Sequence, residues 1–420
     1  MVNREKRLDD CTDKCKNIIF TTMKQSLFNL WVVLALLAFA CKKGTSPSPS
    51  LPNISINDVT QPEGNGGTVN MDFTISLDAA ASQDVSVSVS TKDGFAKVNE
   101  DYQPFNQTIT LKAGERSKKI SIVIVADDIK EGEDDFIVTL TNAQNGSISD
   151  GFGQALINND DTKIPVTTAG YTSPTSYPGM QLVWSDEFNG TSLNTNDWNY
   201  DLGDGCGDGN CNWGNNELQY YTDGQNLSFS GGNMIIEARK EAKAGKNYTS
   251  TRLTTMGKRS FKFGRIDMRA KLPRGQGIWP AFWMLGNSYR GTPQVGWPGC
   301  GEIDIMEFLG HEESKVHSTI HYKFGTGARN NTAFINTTAP IPNEYHVFSL
   351  EWKQDYMRML IDDKEIAVYK PLDLGITDHP FNNPFFFLVN LAVGGNWPGA
   401  PNATTYFPQW YFVDYIRVFQ

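Results

Sequence analysis

Short runs of alternating hydrophobic and polar residues follow one another through the first part of the chain. Residues 69–77, 85–89, 119–125 and 136–140 place an apolar side chain at every second position, with turn-forming residues between the runs. A period of two is typical of a β-strand that buries one face. Such runs, spaced over about 100 residues, predict a β-sandwich at residues 53–161.

Strand patterns resume beyond residue 179 and continue to the end of the chain. They cover residues 263–272, 278–285, 302–308, 315–322, 346–352, 357–361, 365–369, 384–393 and 410–419. Asp362-Asp363-Lys364 separates two of these runs and predicts a hairpin turn. No helix longer than a turn or two is predicted, so we expect an all-β chain whose second domain, residues 180–420, is a curved two-sheet sandwich. Residues 162–179, with three prolines, are expected to form a linker.

The run at residues 301–308 carries three carboxylates in an otherwise apolar strand. Glu302 and Asp304 share one face, whereas Glu307 stands at an odd offset and would point into the core. Because an unpaired buried carboxylate is costly, we predict a β-bulge at Ile305-Met306 that returns Glu307 to the face of the other two. The outer carboxylates would then stand about 5 to 5.5 Å apart, as in a retaining glycosidase. The alternative is an edge strand whose charges discourage pairing.

Two tryptophans lie upstream of this acidic strand. Trp279 and Trp283 are an even number of residues apart, so an extended chain presents both indoles on one face. Sugar rings stack on such faces, and we expect both residues to bind substrate. Packing in the core is the alternative for either ring.

Residues 277–285 and 302–307 together resemble glycoside hydrolase family 16, on its laminarinase (endo-β-1,3-glucanase) branch. The resemblance covers residues 182–420, and residues 183–188, 215–219, 394–399 and 413–418 match it in order. It implies a concanavalin-like β-jelly roll that hydrolyses internal β-1,3 bonds of laminarin-type glucans. It also implies retention of the anomeric configuration and no cofactor for catalysis.

The same resemblance assigns roles to the carboxylates. Glu302 is the expected nucleophile, Glu307 the general acid and then base, and Asp304 the neighbour that tunes Glu302. The expected substrate-binding residues are Trp279, Trp283, His321, Asn216, Glu217, Arg252 and Trp397. For His321 the alternative is a structural role, and Trp397 could instead pack beneath the groove.

Other activities remain open from the sequence. Within the same family, the substrate could be a mixed-linkage β-1,3-1,4-glucan or an algal galactan. A non-catalytic glucan-binding protein is the alternative from another class, and the presence of Glu302, Asp304 and Glu307 together argues against it.

Acidic residues collect at the strand ends of the first sandwich. Residues 101–102, 126–136 and 157–161 resemble the Calx-beta motif, an immunoglobulin-like module, and the resemblance implies calcium ligation. The expected ligands are Glu63, Asp101, Asp127, Asp128, Glu131, Asp134, Asp160 and Asp161. Carboxylates from separate loops repel one another unless a cation joins them, and calcium accepts six to eight oxygens. Ordinary turn chemistry in a metal-free spacer is the alternative.

A second structural cation is expected in the second domain. Glu187 and Asp414 occur in the terminal segments where resembling enzymes bind calcium. The alternative is that the two carboxylates cap strand ends.

Residues 1–43 read as an N-terminal extension and a signal of the bacterial lipoprotein type. Met23 opens a charged segment, and the apolar run that follows is too short for a transmembrane helix. Translation from Met1 or Met23 is compatible with this pattern. We expect lipidation of Cys41, a flexible tether at residues 44–52, and a lipoprotein on the outer surface of the cell envelope, with simple secretion as the alternative.

Composition limits the classes of molecule that the protein is expected to bind. The 420 residues carry a formal net charge of −10, which argues against binding to nucleic acid. Cys206 and Cys211 could close a small loop as a disulfide or remain a free pair, and Cys300 is expected to pack as a small hydrophobic residue. The expected partners are a β-glucan and, through Cys41, a membrane, with the protein itself a monomer.

Overall fold

The computed structural model describes residues 50–375 and 379–420. The predicted signal, the lipidation site at Cys41 and most of the tether lie outside these residues. Within them the chain is all-β, as predicted, with strands joined by turns and by single-turn 3₁₀ segments at Cys206–Asp208, Cys211–Gly214, Asn287–Tyr289, Ile341–Asn343 and Pro380–Asn382. None of the helices among the described residues is long and apolar enough to cross a membrane.

The first sandwich contains nine strands. They are β1 (Asn53–Ile56), β2 (Val59–Pro62), β3 (Gly67–Leu77), β4 (Val85–Asp93), β5 (Asn106–Leu111), β6 (Ser117–Ala126), β7 (Asp134–Gln144), β8 (Ser147–Ile148) and β9 (Phe152–Asn158). One sheet has the order β6-β3-β1-β8 and the other β2-β9-β7-β4-β5. The alternate apolar residues of both sheets meet in a single core, which is why the period-two pattern predicted this sandwich.

The second sandwich contains the remaining strands. They are β10 (Leu182–Asp186), β11 (Asn199–Tyr200), β12 (Gln219–Tyr221), β13 (Leu227–Ser230), β14 (Asn233–Ala238), β15 (Tyr248–Ser250), β16 (Arg252–Thr254), β17 (Gly264–Lys271), β18 (Ile278–Gly286), β19 (Glu302–Phe308), β20 (Lys315–Phe324), β21 (Gly327–Asn336), β22 (His346–Lys353), β23 (Tyr356–Ile361), β24 (Lys364–Tyr369), β25 (Phe385–Val393) and β26 (Gln409–Phe419).

Two large sheets build this second sandwich. One has seven strands in the order β11-β16-β25-β18-β19-β20-β21; the other has the order β13-β14-β26-β17-β22-β23-β24, with β10 added beside β26. Apolar side chains from both sheets form one core. The face of the seven-stranded sheet that points away from this core is called the groove face below.

The hairpin predicted at residues 362–364 is confirmed. Asp362 and Asp363 connect β23 to β24 with positive φ angles of 50° and 59°. Positive φ at both central residues is the requirement of a type I′ turn, whose twist matches that of the flanking strands.

The segment predicted as a linker, residues 162–179, packs against the eight-stranded sheet. Arg269 donates from Nε to the carbonyl oxygen of Tyr171 at 2.7 Å and from Nη2 to that of Thr168 at 2.8 Å. Tyr177 donates from its hydroxyl to Asp267 at 2.7 Å. Gly170 also forms a single β-bridge with Tyr345, in which Tyr171 donates its N–H to the carbonyl oxygen of Tyr345 at 2.8 Å.

A loop of the first sandwich contacts the second. Lys130 Nζ lies 2.7 Å from Oε1 of Glu237, whose side chain is buried. Gly132 donates its N–H to the hydroxyl of Tyr406. A Cβ at Gly132 would lie 2.1 Å from the carbonyl oxygen of Phe407, so only glycine permits this approach.

Three cysteines lie in the described part of the chain. Cys206 and Cys211 form a disulfide, and Cys300 is free and buried. The disulfide closes the loop at residues 206–211, and Asn210 of this loop lines the groove described below.

Candidate active site

Strand β19 carries a bulge between two of its acidic residues. Glu302, Asp304 and Glu307 are called the groove carboxylates from here on. Asp304 pairs with Thr319 of β20 and Glu307 pairs with His317, so the two residues between the acids, Ile305 and Met306, stand against the single residue Ser318 of β20. The pairing with β18 shifts at the same place. The predicted bulge at Ile305-Met306 is therefore confirmed, and all three groove carboxylates line one cavity.

Neighbouring strands place their side chains on the same face as these acids. Leu285 of β18 and His321 of β20 stand opposite Glu302, and Ala281 stands opposite Glu307. Directly opposed residues of a sheet share a face. These side chains line a cavity of about 560 Å³ on the groove face, together with tryptophans from β18 and from the surrounding loops.

Two ring nitrogens surround the first groove carboxylate. Trp297 Nε1 donates to Oε2 of Glu302 at 2.8 Å, and His321 Nε2 lies 3.7 Å from its Oε1. His321 Nε2 also lies 3.2 Å from Oδ2 of Asp304. Asp304 is 2% exposed, and its Oδ2 accepts no hydrogen bond of acceptable geometry from the described residues. This oxygen is the natural place for a proton.

Burial and mutual repulsion oppose ionisation of all three acids. Burial, followed by repulsion from Asp304, raises the pKa of Glu302 to about 8. Burial, followed by repulsion from Glu302, raises the pKa of Glu307 to about 7. Burial and the charge of Glu307 raise the pKa of Asp304 well above its ordinary value. The groove carboxylates therefore hold at least one proton near neutral pH.

The surroundings of Glu307 are open to a ligand. Thr319 Oγ1 lies 3.4 Å from Oε2 of Glu307, a long contact. The indole N–H of Trp279 is buried and makes no hydrogen bond in the described part of the chain, so this donor is available at the cavity wall. A bound sugar can satisfy both groups.

Three of the predicted substrate-binding residues form one wall of the cavity. Trp283 donates from Nε1 to Oδ1 of Asn390 at 2.7 Å. The guanidinium of Arg252 lies 4.9 Å from the Trp283 ring and 4.3 Å from the Trp213 ring, and it pairs with Asp201 at 2.9 Å. Glu217 also lines the cavity.

Glu217 differs from the other wall residues because it is almost fully buried. It accepts hydrogen bonds from Gln219 at 2.7 Å, from Asn215 at 3.2 Å and from Tyr221 at 3.3 Å. Its oxygens are thus occupied by the wall itself. The structure places it as a support of the cavity wall.

Trp397 and Asn216 lie on the loops at the rim. Trp397 is 40% exposed and meets the Trp279 ring edge to face, with ring centroids 5.6 Å apart. Asn216 donates to Oδ1 of Asn396 at 2.8 Å and is absent from the cavity lining. The structure brings Trp397 into the groove and gives Asn216 a role in holding the loop that carries it.

Several cavity residues were missed from the sequence. They are Trp213, Trp297, Thr319, Asn330, Thr332 and Asn390. Asn390 is the single polar residue in the apolar strand β25, and that interruption was a usable signal. Trp297 lies five residues before Glu302 in a loop, where no periodic pattern indicates the direction of a side chain.

A second acidic group lies in the first sandwich. Asp101, Glu131 and Asp134 are called the loop carboxylates from here on. Their ligand atoms lie within 4.8 Å of one another, and Asp134 is 7% exposed with an Oδ1 that has no hydrogen-bond partner in the described part of the chain. Burial and mutual repulsion raise the pKa of Glu131 to about 8 and that of Asp134 to about 7.

Two further predicted ligands adjoin the loop carboxylates. Glu63 is buried, accepts the N–H of Asp127 at 3.3 Å, and has a pKa raised to about 7 mainly by burial. The charges of Glu63 and Asp127 add to the burial and repulsion that raise the pKa of Glu131. The side chains present, all carboxylates with one orphaned oxygen, fit a hard cation such as calcium.

The other predicted calcium ligands bind protein groups. Asp128 pairs with Lys163 at 2.8 Å, Asp160 accepts the N–H of Gly64 at 2.9 Å, and Asp161 accepts from Asn65 at 2.6 Å. Asp128 and Asp160 thus bind protein groups, whereas Oδ2 of Asp161 is buried without a partner in the described part of the chain, and the charge of Asp161 acts on Glu63.

Glu187 and Asp414, the expected ligands of a second cation, each pair with an arginine. Glu187 forms a two-pronged pair with Arg417 at 2.8 and 2.7 Å. Asp414 pairs with Arg269 at 2.6 Å. Each carboxylate is thus paired with a guanidinium of the same sandwich.

Comparisons with known proteins agree with this geometry. Residues 208–415 match glycosyl hydrolases family 16, and residues 58–163 match the Calx-beta domain. A "Beta-glucanase" of Rhodothermus marinus is 40% identical over 266 residues, covering 58% of this chain and 86% of that protein. A "Glucan endo-1,3-beta-glucosidase A1" of Niallia circulans is 38% identical over 265 residues, covering 58% of this chain but 38% of that longer protein.

A solved structure extends the comparison to the fold. The laminarinase catalytic domain from Thermotoga maritima is 43% identical, with a TM-score of 0.53, and the match covers 57% of this chain and 98% of that domain. The second sandwich is thus similar to this laminarinase domain over nearly the whole length of that domain.

Proposed function

The chain belongs to glycosyl hydrolases family 16, and from that premise we propose that it hydrolyses internal β-1,3-glucosidic bonds of laminarin-type glucans with retention of configuration. It is a glycoside hydrolase with a Calx-beta domain before its catalytic domain. The bulge in β19 carries the proposal, because it turns Glu307 to the face that holds Glu302. Two carboxylates then flank one aromatic-lined cavity, which is the arrangement that retaining glycosidases use.

Glu302 is the proposed nucleophile. Trp297 donates a hydrogen bond to it, and the ring nitrogen of His321 lies nearby. Both contacts favour the charged form of the carboxylate. We assign the shared proton to Asp304, because it is the most buried of the three and its Oδ2 accepts no hydrogen bond from the described residues. A neutral Asp304 no longer repels Glu302.

Glu307 is the proposed general acid and base. Its pKa of about 7 lets it hold a proton near neutrality and also lose one. In the first step it donates this proton to the glycosidic oxygen while Glu302 forms a bond to the anomeric carbon and the bond to the leaving oxygen breaks. In the second step it takes a proton from water, which attacks the same carbon and releases Glu302.

Digestion of defined glycans tests this function. Purified wild type and Glu302→Gln would be incubated with laminarin, lichenan, agarose and carrageenan, with product lengths measured over time. Wild type should cut laminarin internally and release β-configured products first by NMR, and Glu302→Gln should be inactive. Intact laminarin with wild type would remove the main proposal.

The other substrates decide between the alternatives. Faster cleavage of lichenan would indicate a mixed-linkage glucanase, and cleavage of agarose or carrageenan a galactan hydrolase. Binding of laminarin without any product would indicate a glucan-binding protein. Activity that survives in Glu302→Gln would remove the assigned nucleophile.

We also propose that the loop carboxylates bind calcium. Asp101, Glu131 and Asp134 would hold the ion, with Glu63 and Asp127 beside them, and the ion would neutralise their crowded charges. The orphaned Oδ1 of Asp134 supports this proposal. Calorimetric titration of the full chain with calcium tests it, and the absence of heat together with an unchanged melting temperature would remove it.

Attachment to the envelope through Cys41 is a further proposal, supported by the sequence alone. Fractionation of cells that express wild type or Cys41→Ser tests it. Wild type should sediment with membranes and the variant should not; equal distribution would contradict a lipid anchor.

A further inference from the structure

Phe334 is an aromatic residue at the edge of the groove face, and neither the sequence nor the catalytic mechanism gives it a role. It lies on β21, the last strand of the seven-stranded sheet, and it is 53% exposed. In the same strand Asn330 and Thr332 line the cavity. Because alternate residues of a strand share a face, Phe334 continues this row on the groove face, beyond the cavity.

A series of ring contacts connects Phe334 with the cavity wall. The Trp279 and Trp397 rings are 5.6 Å apart, and the Trp397 and His317 rings are 4.8 Å apart. His317 stands opposite Phe334 in the pairing of β20 with β21, and their ring centroids are 5.8 Å apart. Ring contacts therefore connect Trp279 at the cavity wall with Phe334 at the sheet edge, and the buried His317 lies between the exposed rings of Trp397 and Phe334.

Polar groups accompany the exposed ring. Lys315 Nζ lies 4.6 Å from the Phe334 ring centroid and 3.2 Å from Oε2 of Glu312. A sugar presents an apolar ring face and a rim of hydroxyls, so it needs an aromatic platform with donors and acceptors at its edge. Phe334 supplies the ring, Lys315 supplies a donor that lies over this ring, and Glu312 supplies an acceptor beside that donor.

We propose that Phe334 forms a further sugar-binding subsite, which takes a glucosyl residue of a β-glucan chain that continues past Trp397. The inference rests on the proposed glucanase function and extends it to chain-length preference. Strand β21 lies two strands from β19, or roughly 10 Å at the usual strand spacing. Only a chain that extends beyond the sugars at the groove carboxylates reaches it.

Kinetics on β-1,3-gluco-oligosaccharides of increasing length test the subsite. Phe334→Ala should lower kcat/KM by roughly three- to tenfold on long oligosaccharides and laminarin, with a loss that grows with chain length. Phe334→Tyr should restore the wild-type profile. Phe324→Ala is the matched control, because Phe324 is 40% exposed on the same hairpin. In β20 it lies an odd number of residues from His321, so its side chain points away from the groove face. This variant should follow the wild type at every length.

A binding measurement separates this inference from the proposed function. Retardation in laminarin-containing gels would be compared between Glu302→Gln and the double variant Glu302→Gln/Phe334→Ala. Weaker retardation of the double variant supports the subsite even if wild type leaves laminarin uncut, a result that would remove only the proposed hydrolysis. Equal retardation, no retardation of either, or an equal kinetic loss at all lengths would overturn the subsite.

Discussion

Each of the two sandwiches holds three crowded carboxylates, and the two groups differ in how they are assembled. The groove carboxylates come from one strand, and the bulge in β19 sets their direction. The loop carboxylates come from three places: the β4–β5 connection, the β6–β7 connection and the start of β7. In both groups burial, and after it mutual repulsion, raises the pKa values of the carboxylates.

The neighbours of the two groups explain why the same crowding leads to different chemistry. The groove carboxylates face an open cavity, with the N–H of Trp297 and the ring of His321 beside them. Protonation, and hydrogen bonds to a bound sugar, can therefore reduce the repulsion among the groove carboxylates. Asp134 of the loop carboxylates has an oxygen with no partner among the described residues and lies beside the charges of Asp101 and Asp135. There a fixed cation is the expected solution.

The largest effect should separate the two groups by activity. Glu307→Gln removes the proton donor and should lower kcat/KM on laminarin by about 10² to 10⁴. Asp134→Asn makes the same kind of change among the loop carboxylates and should leave kcat/KM within about twofold at saturating calcium. A comparable loss in both variants would contradict the division of roles.

Calcium should act on stability through the loop carboxylates. At about 100 times its dissociation constant, an ion stabilises its domain by about 2.7 kcal/mol, which raises the melting temperature of a small domain by roughly 10 °C. Scanning calorimetry with calcium or a chelator should show this shift in wild type, whereas Asp134→Asn should show little. An equal shift in Glu307→Gln and wild type is the expected control result.

Without calcium, the stability of the first sandwich should depend on pH in an unusual direction. Folding raises the pKa of Glu131 to about 8 and of Asp134 to about 7, above their unfolded values near 4. The folded state then binds more protons, so stability is fully present at low pH and falls as the pH rises from about 4 to about 8. Chelator-treated protein melted across this range should show the decline, and Asp134→Asn should flatten it. Stability that rises over this range would argue against crowded acids.

The smallest effect concerns the donor at the groove. Trp297→Phe keeps the ring but removes the N–H donated to Glu302, so kcat/KM should fall by about tenfold. Loss of this donor also raises the pKa of Glu302, which moves the acid limb of the pH profile upward. Trp410→Phe is the control, since its indole belongs to the opposite sheet. An unmoved acid limb would show that Trp297 acts only through stacking.

The parts predicted from the sequence are those that follow a period. Alternation placed the strands, and one residue out of period, Glu307, was enough to predict the bulge. The even spacing of Trp279 and Trp283 predicted that both side chains lie on one face. These features depend on neighbours along the chain, so the sequence displays them directly.

The parts that escaped prediction depend on partners far away in the chain. Asp128 pairs with Lys163, which is 35 residues further along the chain. Glu187 finds Arg417, which is 230 residues away in the chain. No local sequence pattern predicts such pairs, because the two side chains become neighbours only in the folded protein.

The packed segment at residues 162–179 changes where the catalytic module begins. Arg269, whose side chain is almost fully buried, donates hydrogen bonds to the carbonyl oxygens of Thr168 and Tyr171. A fragment cut at residue 180 would leave these donors without acceptors and would uncover the sheet around them. The transferable unit, whether in a recombinant fragment or in a gene fusion, therefore begins before Thr168 and includes the segment as its first structural element.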